Sequence, residues 1–204
     1  MSKHVLPANI DPTPTTRMTR AAEGLPRWRW TVAELEQMVE LGVLDADERI
    51  ELIGGEIVPM SSKGRLHEVL KEDLAQFWTL RAPGSVRASV EQQFNLDPFT
   101  YTDPDIIVRP ATVKTYDLRG GTVLLVVEVA DSSFEKDIGH KAQVYASFSV
   151  REYWVIDART KSTRVHRGPT GGAYAEIRDV AASETLTPLL VPQLGVRLAD
   201  LDLA

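Results

Sequence analysis

Residues 122–130 read TVLLVVEVA, and no other segment constrains the fold as tightly. A near-continuous apolar run of this length predicts a strand buried on both faces. Such a strand needs covering layers on either side, which fits an α/β domain. Inside the run stands Glu128. An unpaired charge there costs several kcal/mol or forces protonation. Three readings fit it at this stage. The carboxylate pairs with a buried Arg or Lys, reaches solvent at the strand's end, or binds a metal or moves a proton.

The flanking segments supply the other layers. Thr31 and Glu34 have capping-box spacing, and Val32, Leu35, Met38 and Val39 follow at helical intervals until Gly42. RIELIGGEIVPM predicts a tight hairpin about Gly54-Gly55. Alternation then puts Glu51 and Glu56 on one face of it. A longer helix carries the apolar stripe Leu66, Val69, Leu70, Leu74 and Phe77, and stops at Pro83-Gly84. Clean alternation over 85–96 predicts one half-buried strand. A turn-rich DPFTYTDPD leads to a short strand from Asp105 to Val108. Ser132 and Glu135 have capping-box spacing before a helix bearing Ile138, Tyr145 and Phe148. EYWVIDA predicts another strand, and a β-rich tail follows. The whole predicts a mixed sheet flanked by helices, with an N-terminal helix-hairpin and a C-terminal β-rich extension, as one domain over 27–204.

Composition removes several chemistries. The chain has no cysteine, which excludes disulfides, thiolate zinc sites, iron–sulfur clusters and a cysteine nucleophile. The longest uninterrupted apolar run, 123–127, is far below the ~18 residues of a membrane helix. Lys3 is followed by no apolar block of the secretory kind, so a cytoplasmic protein is expected. The proline-rich residues 1–26 are expected to form a disordered arm. Net charge is −6, with the first 30 residues at +3 and the remainder at −9. An acidic body does not hold a polynucleotide by bulk electrostatics, so phosphodiester binding would call for a divalent cation.

Asp105 strengthens the metal reading of Glu128. Two carboxylates at the ends of neighbouring strands suit a hard ion such as Mg²⁺, and the Val129 carbonyl could add an oxygen. Lys141 reads either as a surface partner of Asp137, four residues before it, or as a cation near a phosphate. His67 lies beside the apolar stripe of the long helix, where a satisfied interfacial side chain is the plainer reading.

Five segments carry a resemblance: RIELIGGEIVPMS, KGRLHEVL, TDPDIIV, LLVVEVADSSFEKDIGHKAQVYA and VREYWVID. Over roughly residues 30–200 the chain resembles the Uma-two family of endonucleases, within the PD-(D/E)XK nuclease superfamily. The resemblance implies a restriction-endonuclease-like fold and Mg²⁺- or Mn²⁺-dependent hydrolysis of nucleic acid, DNA foremost. It makes Asp105 and Glu128 the metal ligands. The usual lysine two residues after the acidic ligand is absent, because Ala130 stands there. The resemblance moves that role to Lys141, and places Glu51 and His67 at the site's edge. Two rivals remain: a catalytically inactive binding module on the same fold, and a hydrolase of small phosphorylated metabolites. Exposed hairpin and tail strands lead to the expectation of a homodimer.

Overall fold

The chain is described here by a computed structural model covering residues 18–20 and 26–201. Of the expected arm, only Met18–Arg20 and Pro26 fall among the described residues; the rest lies outside them. β1 (Met18–Arg20) pairs antiparallel with β2 (Pro26–Trp28). α1 (Val32–Glu40) starts at the expected capping box: Glu34 N–H donates to Thr31 Oγ1 at 3.1 Å, and Thr31 N–H to Glu34 Oε2 at 2.8 Å. β3 (Ile50–Ile53) and β4 (Glu56–Pro59) form the hairpin in the expected register, with Ile53 opposite Glu56. Gly54 and Gly55 both take positive φ, +62° and +89°, as a two-residue turn of this hand demands.

α2 (Arg65–Arg81) is followed by β5 (Val86–Val90), β6 (Phe94–Asp97), β7 (Thr100–Thr102), β8 (Ile106–Pro110) and β9 (Leu125–Ala130). Next come α3 (Phe134–Lys136), a π turn over Asp137–Lys141, and α4 (Ala142–Ser147). The chain continues through β10 (Glu152–Asp157), β11 (Thr163–Thr170), β12 (Ala173–Val180), β13 (Thr185–Leu186) and β14 (Val196–Arg197). The main sheet is mixed and runs β12-β11-β10-β9-β8-β5; only β9 and β10 are parallel neighbours. The α3–α4 segment is the crossover that parallel pairing requires. A second sheet, β4-β3-β7-β6, carries the hairpin.

All six residues of β9 are buried, as the apolar run predicts. Leu125, Val127 and Val129 face Leu70, Leu74 and Trp78 of α2, and Val126 and Ala130 face Tyr145 and Ala146 of α4. Trp78 Nε1–H donates to the Leu194 carbonyl at 2.8 Å, which ties the C-terminal tail across α2. No helix among the described residues is long and apolar enough to cross a membrane.

Four local expectations are corrected. The buried face of α2 is His67, Leu70, Lys71, Leu74 and Trp78, and Leu66 is exposed. Two charged or titratable side chains on the inner face disguise its period. The single strand over 85–96 is two strands in different sheets, broken where Glu91 takes φ of 47°. DPFTYTDPD contains β7. Ser132 and Glu135 form no capping box; the residue at the helix start is Ser133, whose hydroxyl donates instead to Asp137 Oδ2 at 2.6 Å.

Gly120 sits under the end of α4, where a Cβ would stand 1.8 Å from the Phe148 carbonyl oxygen. Backbone must move to admit it. Gly120→Ala is expected to cost ~1–3 kcal/mol, lowering the melting temperature by several degrees in a thermal scan. An unchanged melting temperature would contradict this close approach.

Candidate active site

The site forms where β8 and β9 end together. Ile106 pairs with Val127, and continuing that antiparallel register by one residue sets Asp105 across from Glu128. Asp105 precedes β8 and follows a proline. Its Oδ2 accepts the Val129 N–H at 2.8 Å and lies 2.9 Å from His67 Nε2. Its Oδ1 is 3.1 Å from Lys63 Nζ. Because the Val129 N–H points toward Asp105, its own carbonyl points to the same side of the strand.

Glu128 Oε1 accepts from Lys141 Nζ at 2.9 Å and from the Tyr145 hydroxyl at 3.1 Å. Lys141 Nζ also lies 2.9 Å from Glu51 Oε1. Lys141 therefore does not pair along the surface with Asp137. The π turn holds one extra residue per turn and leaves Lys141 aimed inward, 5% exposed. Glu51 is completely buried at 0% exposure. Its Oε1 also accepts the Asp103 N–H at 3.2 Å, and its Oε2 has no partner among the described residues.

All five expected site residues, Glu51, His67, Asp105, Glu128 and Lys141, thus line one cavity of about 40 Å³, along with Val129. Glu56 does not line it. Lys63 and Asp137 do, and sequence reasoning missed both. Lys71, four residues after His67 and so on its helix face, is buried as well but does not line this cavity.

The electrostatics set the two facing carboxylates apart. Burial opposes ionisation of Asp105, but the His67 hydrogen bond and charge, Lys63 and the Val129 amide outweigh it and hold its pKa at about 2. Burial drives the Glu128 pKa well above the usual carboxylate value; Lys141 opposes this, while Asp105, Asp137 and Glu51 add to it. Burial works against the Lys141 charge too, but Glu128, Glu51 and Asp137 overcome it and raise its pKa. Asp137 is pushed up by burial against the pull of Lys141 and Ser133.

Asp105 is ionised at lower pH in the fold than in the unfolded chain, from an ordinary 3.8 down to about 2. Its contribution is present above about pH 4 and is lost as pH falls through about 2, by linkage. Asp105→Asn is expected to cost ~2 kcal/mol at pH 7 and progressively less toward pH 2. Urea unfolding across that range measures it. A constant difference at all pH values would remove the electrostatic account.

Against this geometry, a family model described as "Uma2: Putative restriction endonuclease" matches residues 32–202. The chain belongs to the Uma2 family. The Uma2 match begins with α1, reaches the end of the tail, and contains every residue of the cluster. Among curated proteins, none matches. Among solved structures, the chain is similar to a crystal structure from Anabaena variabilis described as "a putative nuclease belonging to DUF820". The two are 16% identical with a TM-score of 0.65, over 84% of this chain and 96% of that one. That likeness shows a shared fold. Family membership and fold together make this Uma2 protein a member of a nuclease family with a restriction-endonuclease-like architecture.

Families of this kind use divalent metals, and the donor set here suits one. Carboxylate and carbonyl oxygens are hard ligands, and Glu51 Oε2 is a buried carboxylate oxygen without a partner among the described residues. No group of three or more His, Cys, Asp or Glu side chains among the described residues is gathered to hold an ion unaided. The fit is therefore to an ion of the Mg²⁺ type, which takes one or two carboxylates and completes its shell with water and phosphate oxygens.

Proposed function

We propose that the protein is an endonuclease hydrolysing phosphodiester bonds of DNA with Mg²⁺ or Mn²⁺. The observation that carries this is Asp105 set across from Glu128 at the ends of paired strands, with Lys141 against Glu128. Asp105, Glu128 and the Val129 carbonyl would hold the ion. When bound, it supplies Lewis-acid polarisation of the phosphoryl oxygen.

The chain's own residues do the rest. His67 fixes the Asp105 carboxylate through Oδ2, so that Oδ1 is presented to the cavity. Glu51 and Glu128 keep Lys141 charged and in place, where its ammonium attracts the scissile phosphate and orients the attacking water. Water adds to phosphorus, the bond to the leaving oxygen breaks, and the leaving oxygen takes a proton. A homodimer built through an exposed edge such as β12 and a cytoplasmic location belong to the same proposal.

The test is cleavage of supercoiled plasmid by purified protein in Mg²⁺ or Mn²⁺, with EDTA and an RNA substrate alongside. Metal-dependent nicking of the plasmid is the expected result. One observation favours the rival reading, an inactive nuclease-fold binding module: Ala130 stands at the usual lysine position and Lys141 is engaged by two carboxylates. Absence of cleavage and of any thermal shift with either ion would select that rival.

A further inference from the structure

Glu91, Asp105 and Glu128 lie in a row across the ends of β5, β8 and β9. The Glu91 N–H donates to the Asp105 carbonyl at 3.1 Å, continuing the β5–β8 ladder by one residue. Glu91 holds φ of 47°, in the left-handed region, which costs a non-glycine residue about 1 kcal/mol or more. Its side chain takes no part in the carboxylate pair of the active site. Instead, one oxygen, Oε1, receives two ammonium groups: Lys63 Nζ at 2.5 Å and Lys71 Nζ at 2.7 Å.

This arrangement is unusual for a structural ion pair. Lys71 is 5% exposed, and a lysine so buried must be matched by anions. The anions matching it, Glu68 and Glu91, are themselves only partly buried, with side chains 39% and 46% exposed. Lys63 is shared between Glu91 and Asp105 Oδ1. Two converging ammonium groups on one anionic oxygen, beside the metal-ligand carboxylates, make the chemistry of a phosphate clamp.

We propose that Lys63 and Lys71 form a second phosphate site, for a phosphodiester neighbouring the one cleaved, and that Glu91 fills it in the substrate-free chain. This rests on the nuclease reading above. Glu91 acts as a displaceable anionic plug. The hydrogen bonds from Lys63 and Lys71 hold its carboxyl at a pKa of about 2, so an anion displaces it only by taking over both ammonium groups. The exchange conserves charge, one phosphodiester for one carboxylate. Lys71 keeps Glu68 and Lys63 keeps Asp105 after Glu91 leaves, so neither lysine is stranded. The plug also defines a substrate class. A ligand must present two successive phosphates to occupy both sites, which favours internal positions of a polynucleotide over mononucleotides.

The experiment measures binding without cleavage, the duplex with Ca²⁺ in place of Mg²⁺ and inorganic tripolyphosphate in EDTA. A fluorescent DNA duplex and inorganic tripolyphosphate are titrated separately into wild type, Glu91→Gln and Glu91→Gln/Lys71→Gln. Glu91→Gln is expected to bind the duplex at least 10-fold tighter than wild type at low salt. Its affinity should also fall more steeply with salt, by about one unit of logarithmic slope. The double variant should lose the gain. Circular dichroism establishes that each variant is folded, and Glu91→Gly, which relaxes the backbone, should reproduce the Gln result if the charge is what matters. Equal or weaker duplex binding by folded Glu91→Gln, with wild type binding, overturns the plug. If Glu91→Gln gains tripolyphosphate but neither protein binds the duplex, the phosphate site stands and the nucleic-acid reading fails. No gain with either probe overturns the site itself.

Discussion

Glu128→Gln is expected to lower metal-dependent cleavage about 1,000-fold while the chain stays folded. Gln keeps the volume and can still accept from Lys141 and Tyr145, the two donors now on Glu128 Oε1. What it removes is one of the two carboxylates proposed to hold the ion. Loss of ~4 kcal/mol of transition-state stabilisation corresponds to roughly that factor in rate. A second readout is independent of activity. An ion at 100 times its dissociation constant stabilises the folded wild type by ~2.7 kcal/mol, and this Mg²⁺- or Mn²⁺-dependent shift should vanish in the variant. Cleavage by Glu128→Gln at the wild-type rate would remove Glu128 from the mechanism.

Lys141→Met is expected to be among the most destabilising single changes in the chain, at about 3–5 kcal/mol near neutral pH. The lysine lies between Glu51 and Glu128, both buried, and its loss strands two carboxylates without a cation. A surface pair with Asp137 would have cost only a few tenths of a kcal/mol. The sign of the pH dependence separates the cases. Stranded carboxylates take raised pKa values, so the folded variant binds protons that the unfolded chain has already released. Its stability then falls as pH rises above the ordinary carboxylate range. The deficit against wild type should therefore be smaller at pH 5 than at pH 8 in urea titrations. A deficit below 1 kcal/mol at both would show that Lys141 is not holding the two glutamates.

Where burial dictated residue type, the chain was readable. β9 writes its double-sided burial as an apolar run, Thr31 and Glu34 write a helix start, and Gly54-Gly55 writes a hairpin. Glu128 stood out because a carboxylate in such a run has a cost that something must offset. Asp105, His67, Glu51 and Lys141 were picked out with it, and all line one cavity. Lys71 was hidden for the opposite reason. His67 and Lys71 on the inner face of α2 interrupt the apolar period, so the stripe was drawn through Leu66, one position from His67. Glu91 gave no signal at all, since glutamate does not advertise a left-handed backbone. The π turn was equally silent, because its geometry is fixed by what Lys141 meets inside the fold.

That turn has a consequence for how such sites are found. One surplus residue between Asp137 and Lys141 rotates everything after it by about 100° relative to a regular helix. The ammonium beside Glu128 thus arrives from another element, 13 positions along the chain, while position 130 on the strand is a buried alanine. Spacing along the chain and position in space have come uncoupled. A search that demands acid and lysine two residues apart passes over this protein, whereas one that asks which ammonium touches the buried carboxylate retrieves it.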